Sequence, residues 1–221
     1  MNDRPSESFR RATEFLNADR RGPADENARR ILLGLYRLLA EGDPLTPRRV
    51  AARLGETAER VAAALAAVPE SSVERDTEGR IVGFGGLTLT ATRHRLRVGG
   101  RTLHTWCAFD TLFAPGLLGE AVEIASTCPV TGADIRLVAA PDGVREVTPS
   151  RARLSFVTPD AADCHTDIRG AFCCHVHFLE SDAAAARWRA VHDDALILSL
   201  AEGFELGRIR NDTRFSEMLF S

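Results

Sequence analysis

The chain has 221 residues, a net charge of −3 at pH 7 and an apolar content of 44%. These values are typical of a soluble globular protein with one large domain or two smaller ones. The small net charge gives no general reason to expect nucleic acid or an anionic membrane as a partner. The polar amino terminus lacks the apolar core of a signal peptide, and aliphatic runs such as 61–68 are far shorter than the ~20 residues that span a bilayer.

The chain contains five cysteines, an odd number, and two of them are adjacent. This usage does not indicate the disulfide framework of a small secreted protein. We therefore expect a cytoplasmic protein whose thiols can act as ligands or nucleophiles.

The first part of the chain is predicted to be helical. Residues 1–25 are predicted to form a polar arm with one short helix. Apolar residues then recur at helical spacing, and Thr46 before Pro47 is a typical start of a helix. The predicted helices cover residues 6–17, 26–41, 48–54 and 57–68.

A helix-turn-helix unit is predicted within residues 26–86. Gly55 separates its last two helices, and residues 72–86 predict a wing hairpin. Such a unit suggests DNA binding, but its last helix opens with Glu56 and Glu59, where contacts to DNA require basic or amide side chains. We therefore favour a structural or lid role for this unit and expect no nucleic acid partner.

The remainder, residues 87–221, is rich in predicted strands. Gly99-Gly100 indicates a hairpin turn, and Pro115-Gly116 is expected to interrupt the apolar segment 111–118. Helices followed by strands predict an α+β fold. Strands are predicted over residues 87–98, 101–105, 121–127, 135–139, 145–147, 153–157, 173–179 and 195–200, and helices over 181–192 and 202–219.

Cys107 and Asp110 place a thiol and a carboxylate three residues apart in an apolar segment. If the segment is helical, their Cβ atoms lie ~5–6 Å apart. Burial raises the pKa of a carboxyl group, so that it can carry a proton near neutral pH. Cys107 could instead be a small buried hydrophobic residue and Asp110 a helix cap. Together with a second thiol, the pair indicates a site that binds a soft metal and donates a proton.

The second thiol is expected from Cys173 or Cys174. In the predicted strand, adjacent side chains point to opposite faces, with Cys173, His175 and His177 on one of them. Only one cysteine of the pair can therefore face Cys107, and we expect Cys174 to pack in the core.

The other thiols and the histidines offer weaker alternatives. Cys128 opens a turn and is interpreted as structural, and Cys164 lies in a predicted polar loop and is interpreted as incidental. A zinc site is weakly indicated, because neither a Cys-x-x-Cys pair nor a histidine pair at zinc-finger spacing is present. A cysteine–histidine hydrolase built on Cys173 is an open alternative without a family signature.

Around Cys107 and Cys173 the sequence resembles the organomercurial lyase (alkylmercury lyase) family of bacterial mercury resistance. The resemblance rests on residues 106–112 and 172–178, in this order and at this separation. It is extended by Cys128 with Thr131-Gly132 and by residues 203–207.

The resemblance implies roles for individual residues. Cys107 and Cys173 would bind mercury and cleave the carbon–mercury bond, and Asp110 would move the proton. The same three residues would hold the Hg(II) product. Cys128 matches a cysteine regarded as structural, and Cys174 one that is dispensable.

The resemblance also implies a fold and a reaction. A winged-helix-like part, residues 26–86, would pack on a catalytic core with a mixed or antiparallel β-sheet, residues 87–221. The enzyme would convert R–Hg–X to R–H and Hg(II) by protonolysis. It would need no organic cofactor, use small cellular thiols as co-reactants, and pass Hg(II) to mercuric reductase. The chain departs from the family pattern in a longer N-terminal arm and in Cys164.

An alternative from another class is a mercury- or metal-responsive regulator. In that protein the helix-turn-helix unit would bind DNA and the thiols would only sense the metal. The acidic start of the last helix of the unit argues against this alternative.

Overall fold

The computed structural model describes residues 5–18 and 25–215, and this part of the chain has the predicted α+β fold. The predictions for residues 1–4, 19–24 and 216–219 lie outside the described residues. Four helices come first, and an antiparallel sheet with further helices follows.

The early helices begin where the sequence provides a cap. Asp25, Thr46 and Thr57 each accept a hydrogen bond from a backbone N–H in the first turn, which satisfies an otherwise unpaired donor. Gly55 ends a helix in the left-handed conformation, with φ at 67°. The predicted helices are confirmed as α1 (Glu7–Ala18), α2 (Glu26–Leu39), α3 (Pro47–Leu54) and α4 (Ala58–Ala66).

The wing and the core share one antiparallel sheet of eight strands. The wing hairpin β1–β2 forms one edge, and the strand order is β1-β2-β3-β5-β4-β6-β7-β8. The predicted strand over 87–98 is wrong as a single element, because the chain leaves the sheet between two shorter strands. The strands are β1 (Val73–Arg75), β2 (Ile81–Phe84), β3 (Leu87–Thr88), β4 (His94–Val98), β5 (Arg101–Thr105), β6 (Val122–Thr127), β7 (Asp134–Ala140) and β8 (Gly143–Thr148).

A second sheet of three strands has the order β10-β9-β11 and pairs antiparallel. It places the chain around residue 176 beside the end of β9. The strands are β9 (Arg153–Phe156), β10 (Phe178–Leu179) and β11 (Leu196–Ser199). The remaining helices are α5 (Ala108–Leu118), α6 (Ala161–Thr166), α7 (Ile168–Ala171), α8 (Asp182–Arg189) and α9 (Leu200–Phe215).

Helix α5 is the buried centre of the core. Nearly all its side chains are buried, and it continues through Pro115-Gly116, so the predicted interruption is wrong. Proline removes one backbone donor, but tertiary packing supplies most helical stability in proteins. The prediction for Cys164 is also wrong, because this residue lies fully buried on α6 and not in a polar loop.

Helix α9 lies close against α5 because glycines replace side chains at the contact. A Cβ atom on Gly207 would lie 3.0 Å from Phe113 Cβ and 3.2 Å from Phe113 Cα. On the opposite helix, Gly116 leaves room for Asn211, whose Nδ2 donates to the Phe113 carbonyl at 2.9 Å. This packing sets the position of the carboxyl-terminal half of α9. Among the described residues, no helix is long and apolar enough to cross a membrane.

We expect Gly207→Ala to lower the free energy of unfolding by about 1–3 kcal/mol, because the new methyl group meets the backbone of α5. Gly34→Ala is the matched control in α2, since its Cβ would meet only the flexible end of Leu54. The control should change stability by less than about 1 kcal/mol, given the better helix propensity of alanine. Urea unfolding measures both, and equal effects would contradict this account of the contact.

Candidate active site

The first two chemical groups are fixed by the start of α5. Cys107 is the N-cap residue, and its N–H donates to Asp110 Oδ2 at 2.9 Å in a capping box. The Cys107 carbonyl accepts from Thr105 Oγ1 at 2.8 Å, and the Ala108 N–H donates to the Val176 carbonyl at 3.1 Å. The predicted helical spacing of the thiol and the carboxylate is therefore confirmed, and both groups are held by backbone contacts.

The third group, Cys173, arrives on a 3-10 turn, Cys173–His175. The predicted strand over 173–179 is wrong at its start, and so is the assignment of side chains to alternate faces. In a turn with about three residues per revolution, successive side chains point about 120° apart instead of to opposite faces. Cys173 is 4% exposed and faces Cys107, whereas Cys174 is exposed and does not pack in the core.

The ligand atoms of Cys107, Asp110 and Cys173 lie within 4.8 Å of one another, and all three residues are buried. In residues 5–18 and 25–215 this is the one group of three or more Cys, His, Asp or Glu side chains with such geometry. His175 and His177 do not belong to it, so the geometry gives no support to the zinc alternative. Two thiols and one carboxylate form a donor set that suits a soft ion.

Burial raises the pKa of all three groups of this cluster. Desolvation raises the pKa of Asp110 from 3.8 to about 6, against the lowering effects of the Cys107 hydrogen bonds and of Arg210. Desolvation also raises the pKa of the Cys107 thiol well above its ordinary value. A hydrogen bond with Cys107 lowers the pKa of Cys173, but burial and the Asp110 charge raise it, and the net direction is upward. At neutral pH both thiols are therefore protonated, and Asp110 is the available base.

A cavity of about 60 Å³ lies beside the cluster. Asp110 and Cys173 border it, while Cys107 is fully buried and does not. A groove of about 760 Å³ elsewhere, along the end of α4, contains none of the three residues. The small cavity is therefore the candidate substrate site. It is also lined by Phe15, Leu16, Ser72, Gly85, Gly86, Trp106, Phe109, Phe113, Ile168, Phe172, Arg210 and Arg214.

Gly86 brings the wing into contact with the acid. Its φ of +106° favours glycine, and a Cβ atom there would lie 2.5 Å from Asp110 Cγ. Its carbonyl accepts from the Trp106 N–H at 2.9 Å. Sequence reasoning did not identify this role, although Gly85-Gly86 directly after a strand was a signal of a close backbone approach.

Glu74 on β1 ties the wing to the wall of the cavity. Its Oε2 accepts from Trp106 Nε1 at 2.9 Å and from Thr88 Oγ1 at 2.8 Å, and it pairs with Arg169 at 3.3 Å. Desolvation raises the pKa of this carboxyl group, but the hydrogen bonds and the Arg169 charge outweigh it, so the pKa is lowered. Glu74 therefore holds Trp106, the residue before Cys107, as a charged acceptor.

Arg210 on α9 supplies positive charge to the same cavity. It is 9% exposed, and its guanidinium carbon lies 3.7 Å from the centre of the Phe113 ring. It also donates to Asn211 Oδ1 at 3.1 Å. Its charge lowers the pKa of Asp110 and so limits the effect of burial. Sequence reasoning missed this residue, because nothing local marks an arginine on a predicted polar helix as part of a buried site.

Fold and site together define a class: an α+β protein with a winged-helix-like part and a buried thiol–thiol–carboxylate centre. A family model described as alkylmercury lyase matches residues 87–210, and one described as the helix-turn-helix domain of alkylmercury lyase matches residues 16–85.

Curated proteins named alkylmercury lyase show the same relationship. The protein from Staphylococcus epidermidis is 46% identical over 79% of this chain and 78% of its own length. The protein from Bacillus cereus is 42% identical over 93% and 91%, and that from Streptomyces lividans 39% over 92% of each. The chain therefore belongs to the alkylmercury lyase family, which confirms the predicted resemblance.

A solved structure described as the mercury-bound form of MerB2 aligns with a TM-score of 0.75, covering 94% of this chain and 99% of its own. The sequence identity is 23%, so this likeness concerns the fold alone.

The raised pKa of Asp110 predicts a pH-dependent effect of Asp110→Asn on stability. A carboxyl group whose folded pKa lies above its unfolded value stabilises the protein most below pH 3.8, and this contribution is lost as the pH rises through about 6. Between pH 4 and pH 8 the variant should therefore gain up to about 3 kcal/mol relative to the parent.

Urea unfolding of parent and variant at the two pH values measures this gain. Thr111→Ser, which keeps the buried hydroxyl bonded to the Ala108 carbonyl, is the control and should show a difference that is independent of pH. If the difference in unfolding free energy between Asp110→Asn and the parent is the same at both pH values, burial does not raise the pKa of this carboxyl group.

Proposed function

We propose that Cys107, Cys173 and Asp110 together carry out the carbon–mercury cleavage implied by membership of the alkylmercury lyase family. The observation that carries this proposal is the clustering of their ligand atoms within 4.8 Å in a buried site beside a cavity. Two sulfurs can bind one soft mercury atom, and the carboxyl group stands close enough to move a proton.

Capture begins at Cys173, because this thiol borders the cavity and Cys107 does not. An organomercurial arriving as a thiol adduct, R–Hg–SR′, exchanges its thiolate for the Cys173 sulfur. The Cys173 proton leaves with R′SH, so charge is conserved. Binding to mercury overcomes the raised pKa of a buried thiol, since a coordinating thiol is deprotonated by the metal.

Cleavage requires the second thiol and the acid. As the Cys107 sulfur adds to mercury, its proton passes to the Asp110 carboxylate. The two sulfurs weaken the mercury–carbon bond, and protonated Asp110 gives the proton to the departing carbon. The products are R–H and Hg(II) held by Cys107 and Cys173 next to Asp110, which is again a carboxylate. A pKa of about 6 suits a group that must accept and donate in one cycle.

Release of Hg(II) is proposed to use two small cellular thiols, which exchange with the two cysteines and restore their protons. The reaction then needs no organic cofactor, because proton transfer and sulfur–mercury exchange involve no net redox change. We further propose that the protein works in the cytoplasm, where thiols are reduced, and that mercuric reductase is the acceptor of the metal.

The helix-turn-helix unit has a structural use that differs from DNA binding. Its wing supplies Gly86 and Glu74 to the site. Just before α4, Glu56 is paired with Arg30 and Arg60, so a carboxylate lies where contacts to DNA would require a basic or amide side chain. These contacts support the lyase over the regulator. A gel shift in low salt tests the regulator directly, because specific DNA complexes weaken steeply as salt rises.

The reaction is tested by incubating the purified protein with methylmercury or phenylmercury and excess thiol, and by measuring methane or benzene in the headspace. Hydrocarbon release that depends on the protein supports the proposal. If the protein binds the organomercurial but releases no hydrocarbon, it binds mercury without cleaving the carbon–mercury bond, and the proposal is wrong.

We expect Cys107→Ser and Cys173→Ser each to abolish hydrocarbon release, because a hydroxyl group is a poor ligand for a soft metal. Cys174→Ser is the matched control: it changes the adjacent thiol, which is exposed and outside the cluster, and should retain most activity. Hydrocarbon measured under excess thiol compares the three. An inactive Cys174→Ser protein with an active Cys173→Ser protein would assign the second thiol to Cys174.

Asp110→Asn separates capture from cleavage. The amide cannot supply the proton, so the variant should bind the organomercurial through its thiols but release hydrocarbon about 10²–10⁴-fold more slowly. Mass spectrometry of the intact variant should show the organic group still attached to protein-bound mercury. Asp134→Asn, an exposed substitution on β7, should turn over like the parent. If Asp110→Asn turns over at the parent rate, the proton must come from a group other than Asp110.

A further inference from the structure

A second recess adjoins the cavity beside the cluster and extends from it toward α2. Four residues line both spaces, namely Ser72, Gly85, Arg210 and Arg214. The proposed proton transfer and thiol exchange use no group of α2, so the recess has no role in them. Its other walls come from the helix-turn-helix unit, α5 and α9: Arg29, Leu32, Tyr36, Val68, Phe84, Leu117 and Phe215.

The recess is positively charged. Three guanidinium groups line it, those of Arg29, Arg210 and Arg214. Among the described residues that line the recess or the cavity, Asp110 is the only acidic one, and it lies on the cavity side. The charges of Arg210 and Arg214 already act on this carboxyl group, since both lower its pKa. The excess of arginine over acid favours an anion in the recess.

Two donors of α2 in this recess have no partner. Tyr36 is 2% exposed, and within the described residues neither its hydroxyl oxygen nor Arg29 Nε makes a hydrogen bond, although both atoms are buried. Burial raises the pKa of the Tyr36 hydroxyl, and the opposing effect of the Arg210 charge is smaller, so the group is neutral and can donate.

An acceptor bound in the recess would remove the cost of these unpaired donors. A buried polar group without a partner costs free energy, and a hydrogen bond from it to a charged acceptor is stronger than one to a neutral acceptor. A carboxylate is an acceptor with two oxygens and a negative charge. It therefore matches both the unpaired donors and the arginine charge of the recess.

The substrate can bring a carboxylate to this place. In the proposed reaction mercury arrives bound to one small thiol and leaves bound to two, so a thiol enters the cavity at both stages. Free cysteine and its short peptides are thiols that carry at least one carboxylate. The organic group on mercury is the other possible carrier of the same group.

We propose that the recess lined by Arg29, Tyr36, Arg210 and Arg214 is a subsite for a carboxylate of the organomercurial–thiol adduct. This inference rests on the proposed function and deepens it, because it assigns recognition of the adduct to residues outside the cluster. Arg29 and Tyr36 bind the carboxylate, and Arg210 and Arg214 supply positive charge on the side that the recess shares with the cavity.

The first experiment compares two thiols that differ only in charge. Methylmercury is supplied as its adduct with mercaptopropionate or with the neutral mercaptopropionamide, each thiol in the same excess, and kcat/KM for methane release is measured. A hydrogen bond to a charged group is worth about tenfold or more in affinity. We therefore expect the parent to favour the carboxylate adduct by about tenfold.

Arg29→Gln and Tyr36→Phe test the subsite itself, and each should lower the carboxylate-to-amide ratio of kcat/KM. Tyr36→Phe removes a hydroxyl group that bonds to nothing in the described residues, so this variant should fold even if Arg29→Gln does not. Arg30→Gln is the matched control, because Arg30 is the next residue of α2, is exposed, pairs with Glu56 and does not line the recess. It should leave the ratio unchanged.

A second comparison identifies the source of the carboxylate. Phenylmercury and para-carboxyphenylmercury are each supplied with mercaptopropionamide, and benzene and benzoate are measured. A preference for the carboxylated aryl group that Arg29→Gln lowers would assign the subsite to the organic group, whereas a preference seen only with mercaptopropionate would assign it to the thiol.

Two results would overturn the subsite while leaving the lyase intact. The first is hydrocarbon release by the parent with no preference for a carboxylate in either comparison. The second is an equal loss of the preference in Arg29→Gln and Arg30→Gln. If the parent releases no hydrocarbon from any adduct, the proposed function itself fails, and the subsite fails with it.

Discussion

The site depends on the burial of one carboxylic acid at the start of a buried helix. The Asp110 carboxylate accepts the Cys107 N–H, so the contact that begins α5 also fixes the distance between acid and thiol. Because α5 is enclosed on nearly all sides, the acid is largely desolvated, and its pKa rises to about 6. A helix cap is usually a stabilising feature. Here the capping carboxyl group is also desolvated. Desolvation raises its pKa, so Asp110 can hold a proton closer to neutral pH than an exposed carboxyl group can.

Close packing around that acid requires glycine at two separate places. Gly86 lets the wing backbone lie against the carboxyl group, and Gly207 lets α9 lie against α5. The first excludes water from one side of Asp110, and the second brings Arg210 over the Phe113 ring. Desolvation and the arginine charge act in opposite directions on the pKa. Moving the wing or α9 outward would change the balance between these two effects and therefore the pKa of Asp110.

Features that depend on neighbouring residues could be predicted from the sequence, whereas features that depend on segments far apart in the chain could not. The N-cap at Thr46 and the spacing of Cys107 and Asp110 are local, and the structure confirms both. The predicted strand gives the wrong surroundings for Cys174, because residues 173–175 form a 3-10 turn in which Cys174 is exposed. Both the strand prediction and the family resemblance favour Cys173 over Cys174 as the second thiol. The remaining wall residues come from segments far apart in the chain, and no local pattern shows that these segments meet in the fold.

Burial of the two thiols also determines when the site is reactive. Their raised pKa values keep them protonated near neutral pH, so they are weak nucleophiles toward ordinary electrophiles and oxidants. A mercury atom changes this, because coordination stabilises the thiolate far more than water could in the same site. In the proposed reaction the metal therefore generates the nucleophile that binds it, and the proton displaced from Cys107 is retained by Asp110 for the carbon. Selectivity for a soft, thiol-seeking substrate thus follows from the same desolvation that tunes the acid.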